Sequence, residues 1–157
     1  MGTLTLNNTF EIEYPDDFHI LTNEERSRMN FAKEGEGECL EAKDRHIIIS
    51  IAWQKLGGFT DLMLNSRDFA KNVRGSIRKL MRSQGYTDGQ KLSRKIAGLR
   101  ADGFTYTYSV KDKGMYGETY TFKNDKYVYY LYYYSRQELA DDNAVVWQQM
   151  IDSIKVR

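Results

Sequence analysis

The sequence predicts an α+β fold in which an antiparallel β-sheet is flanked by helices. Segments typical of β-strands fill the first third of the chain and most of residues 91–134, and only two segments have helical periodicity. The links between the later strands are short and turn-forming, which favours antiparallel pairing. Because each helix carries an apolar stripe that must be buried, we expect both helices to pack against the sheet as an α/β/α sandwich.

The length and composition indicate one folded domain. The chain has 157 residues, 41% of them hydrophobic, and contains no linker, repeat or low-complexity tract. We therefore expect a single soluble domain over residues 1–157, in which residues 1–8 need not be ordered. The longest apolar runs fall far short of the roughly 20 residues that span a bilayer.

Five segments of the first half are predicted to be extended. The alternation of apolar and polar residues at 9–14 is typical of a half-buried strand, and extended structure resumes at 18–21 after a turn. These two segments are expected to open the sheet. Segments 28–33 and 38–43 flank a Glu-Gly-Glu-Gly tip and predict a hairpin. The β-branched run at 47–53 is typical of a central strand that is covered on both faces.

The second half begins with a helix, predicted over residues 67–84, with Ser66 able to cap its start and Gly85 following its end. A meander of four antiparallel strands is expected next, and an amphipathic segment from Leu139 to Ile154 predicts a closing helix. The four strands are placed at 91–100, 103–111, 115–123 and 126–134, and the turns between them at 101–102, 113–114 and 124–125.

Several motifs together resemble the PsbP-like superfamily. The chain has an N-terminal FEIEYPDDF strand and turn, an isolated helix after IIISIAW, a strand pair around RKIAGLRADGFTYTY with Gly98 and Gly103, a tyrosine-rich final hairpin and a terminal MIDSIKV. The resemblance extends from Phe10 to Val156. It implies an α/β/α sandwich and, in most branches, a non-catalytic binding or assembly role; the branches include a Ran-binding import factor, DcrB-like bacterial proteins and type VI effector chaperones. It implies no particular ligand, and no functional residue is carried over from any branch.

No residue pattern points to catalysis or to a cofactor. His19 and His46 lie in separate predicted strands, and a zinc site that combines either with the single Cys39 would depend on tertiary placement. The glutamates at 34–41 form the densest acidic patch, but the alternation of a hairpin divides their side chains between two faces. No nucleophile elbow or phosphate loop is present. We therefore expect a protein that is not an enzyme and that binds no cofactor or metal.

The predicted central helix carries a cationic ridge. Five basic residues lie within roughly 80° of arc, on the side away from the apolar stripe. Residues 66–100 contain ten bases and two acids, although the whole chain has a net charge of only +1. The ridge is interpreted either as a solvated face or as a docking surface for an acidic protein segment, an anionic lipid or nucleic acid. Its residues are Arg67, Lys71, Arg74, Arg78 and Arg82.

The second candidate surface is a block of tyrosines in the meander. Ten of the twelve tyrosines lie between residues 106 and 134. Aromatic packing across strands explains such a block structurally, and an aromatic groove for a peptide or an apolar ligand is the functional alternative. The residues assigned to this surface are Tyr106, Tyr108, Tyr120, Tyr130, Tyr132 and Tyr134.

The sequence favours a non-enzymatic module that engages a protein partner, with a small-ligand or metal-ion carrier and an unidentified hydrolase as alternatives. Nucleic acid is the least favoured partner, because the pI is only about 7.8. No transmembrane segment is expected, and the oligomeric state stays open. The N-terminus shows no export signal, which indicates a cytoplasmic location for the chain as given, or an exported or lipid-anchored one if a leader has been removed.

Overall fold

The computed structural model describes residues 1–29, 31–32 and 35–157. Within these residues the chain forms ten β-strands and four α-helices. None of the described helices has both the length and the apolar character needed to cross a membrane. In chain order the elements are β1 (Gly2–Leu6), β2 (Phe10–Tyr14), β3 (His19–Ile20), α1 (Asn23–Arg28), β4 (Gly37–Ala42), β5 (Ile47–Lys55), α2 (Phe59–Met63), α3 (Ser66–Leu80), β6 (Thr87–Ile96), β7 (Leu99–Val110), β8 (Lys113–Asn124), β9 (Tyr127–Arg136), α4 (Ala140–Asp152) and β10 (Lys155–Val156).

The strands form two antiparallel sheets. Seven strands make a large sheet in the order β3-β4-β5-β9-β8-β7-β6, and the other three make a small sheet in the order β1-β2-β10. Helix α3 packs on one face of the large sheet, mainly over β7 and β8. Helix α4 and the small sheet share a hydrophobic core with the other face. The predicted antiparallel sheet flanked by helices is therefore confirmed.

The small sheet is the main departure from the predicted architecture. We expected segments 9–14 and 18–21 to open one sheet, but β2 pairs with β1 and β10, whereas β3 lies at the edge of the large sheet. The physical reason is burial. The side chains of Leu6, Phe10 and Ile12 have no exposed surface and pack into the same core as α4.

The first residues of the chain, for which the sequence allowed disorder, form strand β1 of this small sheet. Strand β1 turns into β2 at Asn7 and Asn8, whose φ angles are 50° and 54°. Asparagine tolerates this left-handed conformation better than most residues. The Asn7 side-chain amide also donates a hydrogen bond to the Tyr129 hydroxyl at 2.9 Å, which ties the turn to the large sheet.

The core between the large sheet and α4 is built around Trp147. Its ring stacks on Tyr133 with centroids 5.0 Å apart, and its indole N–H donates to the buried Glu118 carboxylate at 2.7 Å. The Tyr116 hydroxyl donates to the same carboxylate at 2.8 Å. These hydrogen bonds compensate the cost of burying the Glu118 side chain, so that α4 is fixed on the sheet in one orientation.

Helix α3 starts with a capping box that sequence analysis did not identify. We expected Ser66 to cap the helix, but the cap is Asn65, whose side chain accepts from the backbone N–H of Asp68 at 2.9 Å. The Asp68 carboxylate accepts in return from the backbone N–H of Asn65 at 3.0 Å. Ser66 is the first residue of the helix, and its hydroxyl is free to bond elsewhere.

The end of α3 also differs from the predicted range of 67–84. The α-helix ends at Leu80, and a 3₁₀ turn at Arg82–Gln84 leads to Gly85, whose φ of 72° is left-handed. The apolar stripe faces the sheet as expected, with Phe69 and Ile77 both buried.

The last residue of helix α1, Arg28, falls in a segment that we predicted to be a strand. We expected segment 28–33 to form the first strand of a hairpin, but Thr22 and Glu25 form a capping box that begins a helix ending at Arg28. Residues 30, 33 and 34 lie outside the described part of the chain. Strand β4, the second strand of the expected hairpin, pairs with β3 and β5 instead.

The predicted meander is present in β6 to β9, but its first turn is displaced. The turn lies at Ala97 and Gly98, whose φ angles are 51° and 79°, and not at 101–102. Left-handed angles of this kind are typical of two-residue hairpin turns. The residues expected to form the turn lie inside β7, where both are buried. The second turn is also displaced, to 111–112, because the predicted position 113–114 lies inside β8. The third falls at 125–126, one residue after the predicted 124–125.

Candidate functional site

A groove with a volume of about 740 Å³ lies between α3 and the strands β6 and β7. Its lining is strongly basic, and we call it the cationic groove. The charged residues that line it are Arg67, Lys71, Arg74, Arg78, Lys91, Arg100 and Asp102, and the remaining ones are Ala70, Gly75, Leu92, Ser93, Gly103 and Phe104.

The groove exists because α3 lies over β7 and β8 while β6 forms the edge of the sheet. One flank of the helix therefore overhangs an edge strand that it does not cover. Four of the five ridge residues predicted from the sequence lie on this flank. The fifth, Arg82, follows the end of the α-helix, is exposed in the 3₁₀ turn and does not line the groove.

Arg74 is held against the floor of the groove. Its guanidinium lies 5.8 Å from the centre of the Phe104 ring, within the range of a cation–π contact. Only 20% of its side chain is exposed. The positive charge is thus fixed in position before any ligand binds.

Asp88 is an acid that faces the middle of the cationic ridge. Its carboxylate accepts hydrogen bonds from Tyr86 at 2.8 Å, from Arg78 at 2.9 Å and from Arg74 at 3.3 Å. The hydrogen bond from the Tyr86 hydroxyl, together with those from Arg78 and Arg74, outweighs partial desolvation and lowers the pKa of Asp88. One carboxylate is therefore shared by two arginines.

Asp102 closes one end of the groove as a buried anion. It accepts from the Ser66 hydroxyl at 2.5 Å and from two nitrogens of Arg100, at 3.1 and 3.2 Å. Burial alone raises the pKa of Asp102, but these hydrogen bonds and the charges of Arg100 and Arg67 outweigh it and leave the pKa lowered. Arg100 is oriented by this contact.

The charges around the groove do not balance. Six cations line it, and among the described residues the carboxylates that pair with them are Asp88 and Asp102, which leaves an excess of four positive charges. Among the described residues, neither Lys71 nor Lys91 forms an ion pair with a carboxylate. Arg and Lys side chains held together in this way favour an anionic ligand with several charges.

Three of the tyrosines assigned to an aromatic surface are core residues. Tyr106, Tyr108 and Tyr120 are at most 7% exposed. Burial raises the pKa of Tyr108 and of Tyr120 to about 12. Tyr106 stacks on Tyr86 and Tyr108, and Tyr120 belongs to the core on the other face of the sheet. This burial agrees with the structural interpretation of the tyrosine block, and these side chains offer no surface to a partner.

The other three tyrosines are partly exposed on the α3 face of β9. Tyr130 and Tyr132 stack with centroids 6.3 Å apart and line a second cleft, of about 600 Å³, next to Trp53. Tyr134 stacks on Phe31 at 6.2 Å. The aromatic surface of the sequence prediction is thus reduced to this smaller cleft.

The residues considered for metal or nucleophile chemistry lie apart. The described part of the chain contains no group of three or more His, Cys, Asp and Glu side chains that could hold a metal ion. Cys39 is fully buried, its thiol donates to the Ser50 hydroxyl at 3.5 Å, and burial raises the pKa of the thiol. His19 lies on the surface, 3.5 Å from Glu25 and 3.8 Å from Glu41.

Sequence analysis missed the residues that hold the cationic side chains in place. Asp88 and Asp68 are the two acids of the basic stretch 66–100, and that rarity could have marked Asp88 as a partner of the ridge. Asp102 was missed because the sequence predicted a turn at its position. The contact between Phe104 and Arg74 has no signal in the sequence, because it depends on how α3 crosses β7.

The fold is shared with solved structures of low sequence identity. Cyanobacterial PsbP (CyanoP) from Synechocystis sp. PCC 6803 is 12% identical with a TM-score of 0.69, over 98% of this chain and 89% of that one. LpqN of Mycobacterium tuberculosis, involved in cell envelope biogenesis, is 13% identical with a TM-score of 0.58, over 94% and 82%. The Saccharomyces cerevisiae Ran-binding protein Mog1p is 7% identical with a TM-score of 0.59, over 94% and 89%. No family model and no curated protein matches the chain. The chain has the PsbP-like fold that the resemblance implied.

Proposed function

We propose that this protein is a non-enzymatic binding module that captures an acidic segment of a partner protein in the cationic groove. The observation that carries the proposal is the excess of positive charge around the groove, where six cations meet two carboxylates. Lys71 on α3 and Lys91 on β6 lie on opposite walls, so an anionic chain between them contacts both.

The length of the groove favours a polymeric anion over a small one. The helix positions from Arg67 to Arg78 span about 16 Å along the helix axis. An extended peptide covers this distance with about five residues. A segment with several carboxylates therefore matches the distribution of charge better than a single ion does, and arginine binds carboxylates through paired hydrogen bonds.

The similar structures support a binding role in general terms. Mog1p is a Ran-binding protein by name, and it shares the fold at a TM-score of 0.59. This likeness supports protein binding by a fold of this kind and leaves the partner of this chain open. The choice of an acidic segment rests on the groove alone.

A direct test uses a fluorescein-labelled octapeptide in which Glu and Thr alternate, called here the Glu–Thr peptide. We expect saturable binding in fluorescence anisotropy at about 20 mM salt, weakened at least about tenfold at 300 mM because the contacts are exposed ion pairs. A peptide with Gln in place of Glu is the control. Equal binding of the Glu and Gln peptides, or no saturable binding of either, would contradict the proposed function.

Blocking the groove without changing its charge provides a second prediction. Gly75 lines the groove, and a Cβ atom built on it has no neighbour within 4 Å. Changing Gly75→Tyr is therefore expected to leave the fold intact, since glycine is a poor helix former, while the new ring occupies the groove. We expect the affinity for the Glu–Thr peptide to fall at least about tenfold in the anisotropy titration, a loss on the order of 1.4 kcal/mol.

The matched control is Ser76→Tyr, because Ser76 is the next residue of the helix, is exposed and does not line the groove. Its affinity should stay within about twofold of the unmodified protein. If the two tyrosine variants bind the peptide equally well, the peptide site lies elsewhere, and the cleft at Tyr130 and Tyr132 becomes the first place to test.

A further inference from the structure

Strand β6 leaves one side of its backbone without a partner strand. It is the last strand of the large sheet and pairs only with β7 among the described strands. Its pairing is irregular between Asp88 and Lys91 and regular from Lys91 to Ile96. The regular part offers the open edge of a six-residue strand, about 20 Å long, beside the cationic groove.

The two faces of this edge differ in charge. Lys91, Ser93 and Lys95 lie opposite Phe104, Asp102 and Arg100 of β7, and residues directly opposite each other share one face of a sheet. That face is therefore the groove face. Within the described residues, Lys91 and Lys95 form no ion pair, and both are exposed.

On the opposite face of β6, the side chains already contact other parts of the protein. Arg94 forms an ion pair with Asp152 and donates to Gln148 at 2.6 Å, both on α4. Leu92 is partly buried against the core, and Ile96 is buried in it. Unpaired positive charge at this edge is thus confined to the groove face.

We propose that the acidic segment binds as an added β-strand on the outer edge of β6, with a carboxylate at every second residue directed into the groove. This inference rests on the proposed function and adds the conformation and spacing of the ligand. Alternate residues of a strand point to the same face, about 6.7 Å apart, which is the spacing of Lys91, Ser93 and Lys95. The same lysines repel the β6 edge of a second copy of this chain, so the edge selects an acidic strand over self-association.

The first experiment compares peptides of equal composition. The Glu–Thr peptide has its glutamates at alternate positions, and an isomer with four Glu followed by four Thr has the same charge. If the ligand is an added strand, the alternating peptide binds at least about tenfold more tightly in fluorescence anisotropy, because all its carboxylates face the groove. Equal affinity of the two isomers would overturn the added strand.

The second experiment tests backbone pairing with two N-methylated forms of the Glu–Thr peptide. In an extended strand the N–H groups of the Glu residues point to one edge and those of the Thr residues to the other. One form carries N-methyl groups on its Glu residues, and the other carries them on its Thr residues. Only one edge of an added strand pairs with β6, so one form should lose at least about tenfold in affinity and the other should stay within about threefold.

The outcomes separate this inference from the proposed function. If both methylated forms bind like the parent peptide, or both lose affinity equally, the added strand is wrong. If all these peptides bind equally and Gly75→Tyr still weakens their binding, the groove binds acidic segments through charge alone, without an added strand. If none of the peptides binds, the proposed function fails as well.

Discussion

Changing Arg74 and Arg78 together to glutamate is expected to weaken binding of the Glu–Thr peptide at least about 30-fold, which corresponds to about 2 kcal/mol. Both side chains line the groove and contact Asp88. The double reversal removes the excess of positive charge and places two new carboxylates beside Asp88. The exposed ion pair of Arg78 with Asp88 contributes less than about 1 kcal/mol to folding, and loss of the more buried Arg74 removes its contact with Phe104 as well. Circular dichroism should show an intact fold of lower stability.

The matched control is the double variant Lys79→Glu with Arg82→Glu. It changes the net charge of the protein by the same amount, but both residues are exposed and neither lines the groove. Its affinity for the Glu–Thr peptide should stay within about threefold of the unmodified protein. Equal losses in the two double variants would show that the peptide responds to overall charge and not to the groove.

The second large effect concerns stability at alkaline pH. Burial raises the pKa values of four tyrosines to about 12, namely Tyr108, Tyr120, Tyr132 and Tyr133. Their ordinary value is 10.0, so the unfolded chain loses these protons first as the pH rises. The stability that the neutral tyrosines provide is complete below pH 10 and is lost as the pH rises towards about 12.

The size of this effect is comparable with the total stability of a domain. At pH 11 each of the four tyrosines destabilises the fold by about 1.4 kcal/mol, and together they destabilise it by about 5.5 kcal/mol, against a total stability of about 5–15 kcal/mol for a typical domain. We expect cooperative unfolding between about pH 10 and 12. Far-UV circular dichroism and phenolate absorbance at about 295 nm should change together in a pH titration.

A variant with Tyr108→Phe and Tyr132→Phe serves as the control for this titration. It removes two hydroxyls whose ionisation opposes folding, so the midpoint of alkaline unfolding should move upward by several tenths of a pH unit. A gradual rise in phenolate absorbance with the fold intact through pH 12 would contradict the burial of these tyrosines.

The elements that sequence analysis identified are those with a strong periodic pattern. The helix α3, the strand β5, the meander β6 to β9 and the helix α4 all follow from the spacing of apolar residues along the chain. The elements it missed begin with local hydrogen bonds. Two short signals were present in the sequence but do not show as periodicity of apolar residues. They are the capping box of Thr22 and Glu25 and the turn at Asn7 and Asn8.

The small sheet could not be derived from local pattern at all. Its strand β10 has two residues, and it pairs Lys155 with Glu11 across almost the whole chain. Such pairings are selected by burial of the finished core and not by the propensity of two residues. For the same reason the sequence placed 9–14 in the wrong sheet.

The sequence predicted one of the two walls of the candidate site. The spacing of Arg67, Lys71, Arg74 and Arg78 placed them on one side of a helix, and the structure locates all four at the groove. What the sequence did not show is the other wall. That wall depends on β6 being the edge of the large sheet, which follows from the long-range pairing of β9 with both β5 and β8.

The central claim is that an acidic segment binds between α3 and β6. Backbone amide chemical shifts, measured on isotope-labelled protein during titration with the Glu–Thr peptide, test it most directly, because the chain of 18.4 kDa suits this method. We predict saturable shift changes concentrated in the residues of α3 from Arg67 to Arg78 and in β6 from Lys91 to Lys95. Changes concentrated around Tyr130 and Tyr132, or scattered changes that do not saturate, would contradict the account.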